Sequence, residues 1–317
     1  MATISIIVPC YNQIQFLPRC LESLIKQTFR DIEILCVNDA STDTTLDVIN
    51  EYRRKDKRIK LVDVQHGGLG WARNCGIQHA TGKYLMFCDS DDEFTPVTCE
   101  RLLYTIMDNN CDVAMCSAKV LYECDYHMKP SDDIYYNLKS TGSFENNRNI
   151  INKVDVSVWN KIFKKSLVDK YKIKFIEGRL YEDASFTWKY FAIAKKFYCI
   201  QDPLYIYYRH KGTIMNKTFA KANKSIDHIY VADDIYEFLL KNNLFEEYMN
   251  EFFSFYNANL LLAKKYSDSD GSEEIDALEN QLGEKYLPWI RGVELKRKAK
   301  AQQKLLAGLR RNVKLNR

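Results

Sequence analysis

Four carboxylates within five residues follow a short apolar run and could hold a divalent cation. The run Tyr84–Cys88 has the length and composition of a strand buried on both faces. The acids that follow it are Asp89, Asp91, Asp92 and Glu93. Like charges at this spacing repel strongly in a partly dry site, and Mg²⁺ or Mn²⁺ bound by their oxygens would remove that cost. A solvated acidic turn that caps a helix starting near Pro96 is the alternative.

Two more polar groups occupy the same kind of position. Asn12 comes shortly after the apolar run Ile4–Val8, and Asp39 comes after the run Ile32–Val37. The carboxyl ends of parallel strands meet at one edge of a sheet, and ligands bind there. We therefore expect Asn12, Asp39 and the acidic cluster to converge on one site.

The elements that must position these residues alternate between strand and helix. Strands are predicted at 4–8, 32–37, 59–64, 84–88, 113–117 and 203–209, and helices at about 16–25, 44–55, from the end of the glycine-rich loop 67–70 to about 80, 96–109 and after 183. This order predicts an α/β fold with a mostly parallel, Rossmann-like sheet and helices on both faces. Beyond residue 216 only helical patterns occur, so we expect a catalytic domain at 1–215 and a helical C-terminal region at 216–317.

Neither of the usual phosphate-binding loops is present. The glycine-rich stretch Gly67–Gly70 lacks the Gly-Lys-Ser/Thr of a Walker loop, and no G-x-G-x-x-G follows the first strand. A nucleotide diphosphate bound here would need a cation, which the acidic cluster could hold.

Composition is that of a soluble globular protein. Hydrophobic residues make up 46% of the 317, and no run reaches the roughly 18 apolar residues of a membrane span. The amino terminus passes directly into a strand pattern, so no signal peptide is expected. Ten cysteines are scattered through the chain without a C-x-x-C pair, which indicates reduced core residues in a cytoplasmic protein.

Positive charge is concentrated at the carboxyl end. The formal net charge of the whole chain is +4. Residues 291–317 alone carry a net charge of +9, so residues 1–290 carry a net charge of −5. Segment 296–317 suits an amphipathic helix lying on an anionic membrane, which would place the protein peripherally at the inner face of the cell membrane. A solvated basic helix is the alternative. Nucleic-acid binding is not expected, because no recognisable motif or aromatic interleaving is present.

Four of these segments together resemble the family 2 glycosyltransferases, inverting enzymes of the GT-A fold that include bacterial surface-polysaccharide enzymes. The matching segments are Ser5–Asn12, Val37–Asp43, Gly68–Gly76 with Ala72-Arg73-Asn74, and Asp89–Asp92. The similarity covers the first 120 residues or so closely. It continues more thinly through Trp159-Asn160-Lys161, Glu182-Asp183 and Tyr207-Tyr208-Arg209.

The resemblance implies a nucleotide site and a metal site. The residues that it implies for nucleotide binding are Pro9, Tyr11, Asn12, Asp39, Arg73, Asp89 and Ser90. Asp39 would accept a hydrogen bond from uracil N3–H, and Tyr11 would lie against the base. Asp91, together with Asp89, would bind the Mn²⁺ or Mg²⁺ that bridges the diphosphate. Asp39 could instead only cap the following helix, and Arg73 could only neutralise the acidic neighbourhood.

The resemblance also places a general base at Glu182-Asp183, with Asp183 preferred. A carboxylate pair favoured by the helix macrodipole is the competing interpretation. The sugar and acceptor side would be formed by Trp159, Lys161, Asp92 and Tyr208.

The chain departs from the family pattern at three positions. Ala40 stands where glycine is common and could stiffen that turn. His66 and Trp71 replace an Asn and a small residue; neither is expected to touch the chemistry, although Trp71 could narrow the donor pocket. His210 could be an extra metal ligand, but a lone histidine is more often a surface or packing residue, and we leave it out of the predicted site.

These observations predict a metal-dependent inverting glycosyltransferase. It would move a hexose or N-acetylhexosamine from a nucleotide-diphospho-sugar, most simply a UDP-sugar, to a hydroxyl of a glycan or lipid-linked glycan. A sugar-nucleotidyltransferase is one alternative, although it would need a basic glycine-rich loop after the first strand. A sugar-nucleotide-binding module without transfer activity is the other.

Overall fold

The computed structural model describes residues 2–122, 134–135, 142–144, 146–210, 225–267, 271–289 and 291. Strands in these residues are β1 Ile4–Cys10, β2 Ile32–Asp39, β3 Ile59–Val64, β4 Tyr84–Phe87, β5 Glu93–Phe94, β6 Val113–Tyr122, β7 Ile134–Tyr135, β8 Gly142–Ser143, β9 Lys161–Lys164 and β10 Lys196–Arg209. Helices are α1 Leu17–Ile25, α2 Thr45–Lys55, α3 Leu69–His79, α4 Thr98–Asp108, α5 Lys165–Tyr171, α6 Glu182–Ile193, α7 Asp227–Lys241, α8 Phe245–Tyr266 and α9 at 271–289. A 3₁₀ helix covers Arg148–Asn152.

All strands join one sheet, and its main path runs β3-β2-β1-β4-β9-β6-β10-β5. Pairs β1–β2, β2–β3, β1–β4 and β6–β10 are parallel, as the alternating sequence pattern predicts. Strand β9 lies antiparallel between β4 and β6 and was not predicted, because four residues carry too little pattern. Strand β10 begins at Lys196, earlier than predicted, and its pairing with β6 shifts register around Pro203, which cannot donate to the ladder.

Helices cover both faces of the sheet, and each face has its own apolar core. Ile6 and Val8 of β1 point into the core that α1, α2 and α4 complete. Ile7 points to the opposite core, which α3, α6 and the C-terminal helices fill. This alternation along a strand buried on both sides explains its continuous apolar run.

The C-terminal helices share that second core with the sheet. Trp188 of α6 packs against Tyr248 and Phe255 of α8, at ring-centroid distances of 5.8 and 6.2 Å. The predicted domain boundary at 215/216 and the predicted basic helix at 296–317 lie outside the described residues. Within the described ranges, no helix combines the length and apolar character needed to span a membrane.

Nine cysteines fall in the described residues; all nine are buried, and none of the nine forms a disulfide. Their burial agrees with the interpretation of those nine as core residues; Cys124 lies outside the described residues. Burial raises the pKa of the Cys99 thiol, so such a group stays protonated and packs as a small apolar side chain.

Candidate active site

The acidic cluster forms a tight turn at the carboxyl end of β4. The Asp92 amide donates to the carbonyl of Asp89 across the turn, at 3.1 Å. Tyr205 of β10 braces it, since its hydroxyl accepts from the Asp89 amide and donates to an Asp92 oxygen. The turn leaves 26% of the Asp89 side chain and 20% of the Asp91 side chain exposed, so both carboxylates can be reached from solvent.

Asp91 meets His210, the residue that follows β10. His210 Nε2 lies 3.1 Å from Asp91 Oδ2, and the imidazole packs against Phe16 in a tilted arrangement at a centroid distance of 4.1 Å. Sequence reasoning left His210 out, because the pairing of β10 in the sheet, rather than any local motif, brings it to the acidic turn. Carboxylate oxygen and imidazole nitrogen are both suitable ligands for Mn²⁺.

A metal site of three or more clustered His, Cys, Asp or Glu side chains is absent from the described part of the chain. The pair Asp91–His210 nevertheless fits a nucleotide-bound cation, because such ions take one or two protein ligands and complete their shell with phosphate oxygens and water. One oxygen of Asp89, the other predicted ligand, is bound by Arg73 at 2.7 Å.

Arg73 of α3 connects the acidic turn to the predicted catalytic pair. Its guanidinium binds Asp89 at 2.7 Å, Glu182 at 2.6 Å, and Asp183 in a short contact. Arg73 is 1% exposed, and this geometry favours the neutralising role weighed above. Its predicted contact with the nucleotide stays a prediction.

Close packing of α3 against the segment before α6 makes this arrangement possible. A Cβ on Gly70 would lie 2.3 Å from the carbonyl oxygen of Ile176 and 3.5 Å from the Glu182 side chain, so only glycine fits there. Asn74 then fixes the irregular segment between α5 and α6, because its side chain both donates to and accepts from the backbone of Phe175. The sequence around Arg73 therefore sets the distance between α3 and α6.

Three carboxylates share one guanidinium, so the cluster holds more negative than positive charge. Burial raises the pKa of Asp183 to about 8, with the charges of Glu182 and Asp89 adding to the rise and Arg73 opposing it. Burial also raises the pKa of Glu182 and of Asp89. Asp183 keeps 20% of its side chain exposed against 8% for Glu182, so Asp183 is the more accessible base.

The residues predicted to bind the nucleobase surround Asp39 at the end of β2. The two Asp39 oxygens accept hydrogen bonds from the amides of Gly67 and Gly68, at 2.8 and 2.9 Å. His66 Nδ1 lies 2.9 Å from Asp39 Oδ2, and its ring lies 4.5 Å from the ring of Tyr11. His66 therefore contacts the residue predicted to bind the nucleobase, and the expectation that it does not touch the chemistry stays a prediction. Its position at the end of β3, beside the glycine loop, was the signal available in the sequence.

Asn12 and Ala40 shape the loop around this pocket. The Asn12 side-chain oxygen accepts from the backbone amides of Thr42 and Asp43, which ties the end of β1 to the start of α2. Ala40 has φ +53°, a conformation that explains why glycine is common at this position and that costs an alanine about 1 kcal/mol. The loop therefore holds local strain next to Asp39.

Several predicted site residues are too buried for direct substrate contact. Asp92, predicted on the sugar or acceptor side, is instead 0% exposed, because Tyr205 Oη and the Tyr208 amide bind its two oxygens. Lys161 is likewise 0% exposed and donates to the Ser157 carbonyl and the Asn160 side chain. Asp92 and Lys161 therefore support the residues of the site from within the protein interior.

The other predicted positions lie around the same edge of the sheet. Trp159 stacks on Tyr205 at 4.3 Å and so belongs to the packing beneath the turn. Tyr208 donates to Glu93 at 2.6 Å, and the Arg19 guanidinium lies 3.4 Å from the centre of its ring. Pro9 is buried within β1, where it pairs with Val37 of β2, and Ser90 is buried in the acidic turn next to Asp91.

The chain belongs to glycosyl transferase family 2, whose family model matches residues 5–172. Relatives support this identification. The putative glycosyltransferase EpsH of Bacillus subtilis is 30% identical over 283 residues, which cover 87% of this chain and 81% of EpsH. The chain is therefore a glycosyltransferase, and this favours glycosyl transfer over the nucleotidyltransferase alternative.

A second relative and a solved structure are also similar to this chain. The poly(ribitol-phosphate) beta-glucosyltransferase of Bacillus spizizenii is 29% identical over 85% of this chain, which spans only 43% of that relative. The crystal structure of S. aureus TarS 1-349 in complex with UDP-GlcNAc matches with a TM-score of 0.58 and 24% identity, over 88% of this chain and 84% of TarS 1-349. This likeness confirms the GT-A fold.

Proposed function

We propose that the protein is a metal-dependent inverting glycosyltransferase that uses a UDP-sugar, with Asp183 as the general base. One observation carries the proposal: Arg73 binds Asp89 of the acidic turn and Asp183 of α6 at the same time. The base is thereby held beside the group predicted to bind the donor, as a direct displacement requires. A hexose or N-acetylhexosamine would pass to a hydroxyl of a glycan or lipid-linked glycan.

Known proteins of the same fold support a nucleotide-diphospho-sugar as the donor, and one of them supports UDP as its nucleotide. TarS 1-349 has been solved with UDP-GlcNAc, and a mannosyltransferase from Pyrobaculum calidifontis with GDP-Man and Mn²⁺, the latter at a TM-score of 0.53 and 16% identity. In this chain, Asp183 would accept the proton of the acceptor hydroxyl while that oxygen attacks the anomeric carbon. When bound, the cation would offset the charge that develops on the leaving diphosphate.

The hydrogen bonds of Asp39 favour uracil over cytosine as the nucleobase of the donor. Two backbone amides already donate to its two oxygens, so this side chain acts at the site as a hydrogen-bond acceptor. Such a group pairs with the N3–H of uracil and opposes the N3 lone pair of cytosine. Tyr11 and His66 would flank the ring.

Replacing Asp39 by Asn tests this assignment through the ratio of UDP to CDP affinity. We expect the wild-type preference for UDP to fall about 10–100-fold, because a hydrogen bond to a charged acceptor contributes roughly 1.5–3 kcal/mol. Calorimetric Kd values for both nucleotides, measured on the same preparations, cancel any general loss of folding. An unchanged ratio would remove Asp39 from the base site.

The metal assignment is tested with Asp91→Ala and His210→Ala. Each variant should lose Mn²⁺ affinity by at least the roughly 10–100-fold that removal of an outer-shell partner causes. Titration of Mn²⁺ by electron paramagnetic resonance, with UDP present, measures this without any turnover. Glu93→Gln is the matched control, since Glu93 lies in the same acidic stretch but accepts from Tyr208. Wild-type Mn²⁺ binding in Asp91→Ala would contradict the proposed site.

A further inference from the structure

The segment that leads into the catalytic pair is held by a helix of the C-terminal region. The Leu180 amide donates to Asp227 Oδ2 at 3.0 Å, and Arg179 Nη1 donates to Oδ1 at 3.1 Å. Asp227 begins α7 and is 5% exposed, so a buried carboxylate is used to fix the two residues just before Tyr181. Arg179 also lies over the ring of Tyr230, 3.7 Å from its centre.

Tyr181, immediately before Glu182, has a backbone that needs outside support. Its φ is +62°, a left-handed conformation that costs a tyrosine roughly 1–3 kcal/mol. No side chain caps the start of α6 at this residue. Instead its ring stacks on His228 of α7, with centroids 3.8 Å apart and planes at 17°. His228 is fixed in turn by Asn259 of α8, 2.9 Å from its Nδ1.

A second carboxylate of α7 holds the body of α6. Asp234 accepts from Lys189 Nζ at 2.6 Å and from the Ser185 hydroxyl in a short contact. Asp227 and Asp234 are seven residues apart, which places them on one face of α7, two turns from each other. That face meets α6 along the first two turns after Tyr181.

We propose that α7 positions the catalytic carboxylates, and that Asp227 is the positioning residue. It acts through the Leu180 amide and the Tyr181 backbone, which set where Asp183 stands relative to Arg73. The proposal rests on the assignment of Asp183 as base, and it gives the C-terminal helices a part in catalysis beyond packing.

Asp233, the neighbour of Asp234, supplies a matched control. Its carboxylate binds Lys285 at 2.5 Å and Tyr286 at 3.2 Å, both on α9, and so faces away from α6. Asp233→Ala removes an α7 ion pair as Asp227→Ala does, but it leaves the contacts of residues 179–181 in place.

The test measures kcat, the Kd for UDP, and hydrogen exchange of residues 179–183 in the full chain. We expect Asp227→Ala to lower kcat by about 10–100-fold, the usual effect of removing a group that orients a catalytic residue, with UDP affinity unchanged. Exchange at 179–183 should accelerate. Asp227→Asn keeps an oxygen that can accept from Leu180, so it should restore most of kcat. Asp233→Ala should leave both kcat and this exchange near wild type.

Two results would overturn the proposal. One is kcat in Asp227→Ala equal to that of Asp233→Ala; the other is unchanged exchange at 179–183. Should Asp227→Ala be poorly folded, Asp227→Asn and Arg179→Ala are read instead. Both variants keep an oxygen that accepts from the Leu180 amide, so a loss of kcat of about 10–100-fold in Arg179→Ala would contradict the role given to that amide. A wrong assignment of Asp183 as the base would be recognised separately. In that case an Asp183 variant would still transfer sugar, whatever the hydrogen exchange of residues 179–183 shows.

Discussion

Replacing Asp183 by Asn is expected to lower kcat by about 10²–10⁴-fold, the usual contribution of a general base. The amide keeps the shape of the side chain but cannot accept the proton of the acceptor hydroxyl. UDP affinity should stay near wild type, because Asp183 is proposed to act on the acceptor hydroxyl, whereas the proposed nucleobase site is built around Asp39. Single-turnover transfer and calorimetric UDP binding together separate these two effects.

The matched variant is Glu182→Gln, which alters the adjacent carboxylate on the same guanidinium. Glu182 is more buried and binds Arg73 at 2.6 Å, so its loss should act mainly on folding stability. Turnover near wild type in Asp183→Asn, with a large loss in Glu182→Gln, would move the base to Glu182.

The same assignment predicts the pH dependence of transfer. Burial raises the pKa of Asp183 to about 8, and a base must be ionised to accept a proton. We therefore expect kcat/KM to rise about tenfold per pH unit below this value and to level off above it. In Asp183→Asn this limb should disappear from the residual activity. A wild-type profile that is flat between pH 6 and 8 would contradict a general base whose pKa is raised to about 8.

Much of the fold could be predicted because its parallel strands are short apolar runs with clear boundaries. The run Ile4–Val8 and the run Ile32–Val37 are buried on both faces, so their composition alone indicates strand. The parallel connection then forces their carboxyl ends, with Asn12 and Asp39, to one edge. Strand β9 could not be predicted in this way, because its place depends on β4 and β6, which lie far from it in sequence.

The sequence predicted which residues come together at the candidate site, but not which contacts their side chains make. Spacing located the acids of the turn, yet the turn itself sends Asp92 inward to Tyr205 and leaves Asp91 outward. His210 and His66 carry no periodic signal, and the sheet brings each to a carboxylate. Arg73 shows the same limit: the sequence marks the residue, whereas its three partners come from two distant elements.

Replacing Arg73 by Met is expected to destabilise the protein by about 3–5 kcal/mol, the cost of leaving buried charges without their partner. The methionine fills similar space, but Asp89, Glu182 and Asp183 then face one another with no cation. Urea unfolding at pH 7 measures the loss. Arg101→Met is the control, because Arg101 pairs with Asp202 on the surface, where an ion pair contributes about 0–1 kcal/mol.

The loss in Arg73→Met should grow with pH, and the direction follows from the raised carboxyl pKa values. A group whose pKa is higher in the folded state contributes stability below its unfolded value, 3.8 for Asp183, and that stability disappears as pH rises through the folded value of about 8. Removing the guanidinium takes away the charge that opposes this rise, so the variant should be closest to wild type at pH 5 and furthest from it at pH 8.5. Adding Glu182→Gln should restore part of the stability, because one of the three charges is gone. A loss that is independent of pH, or below that of Arg101→Met, would show that the cluster is not held by its charge.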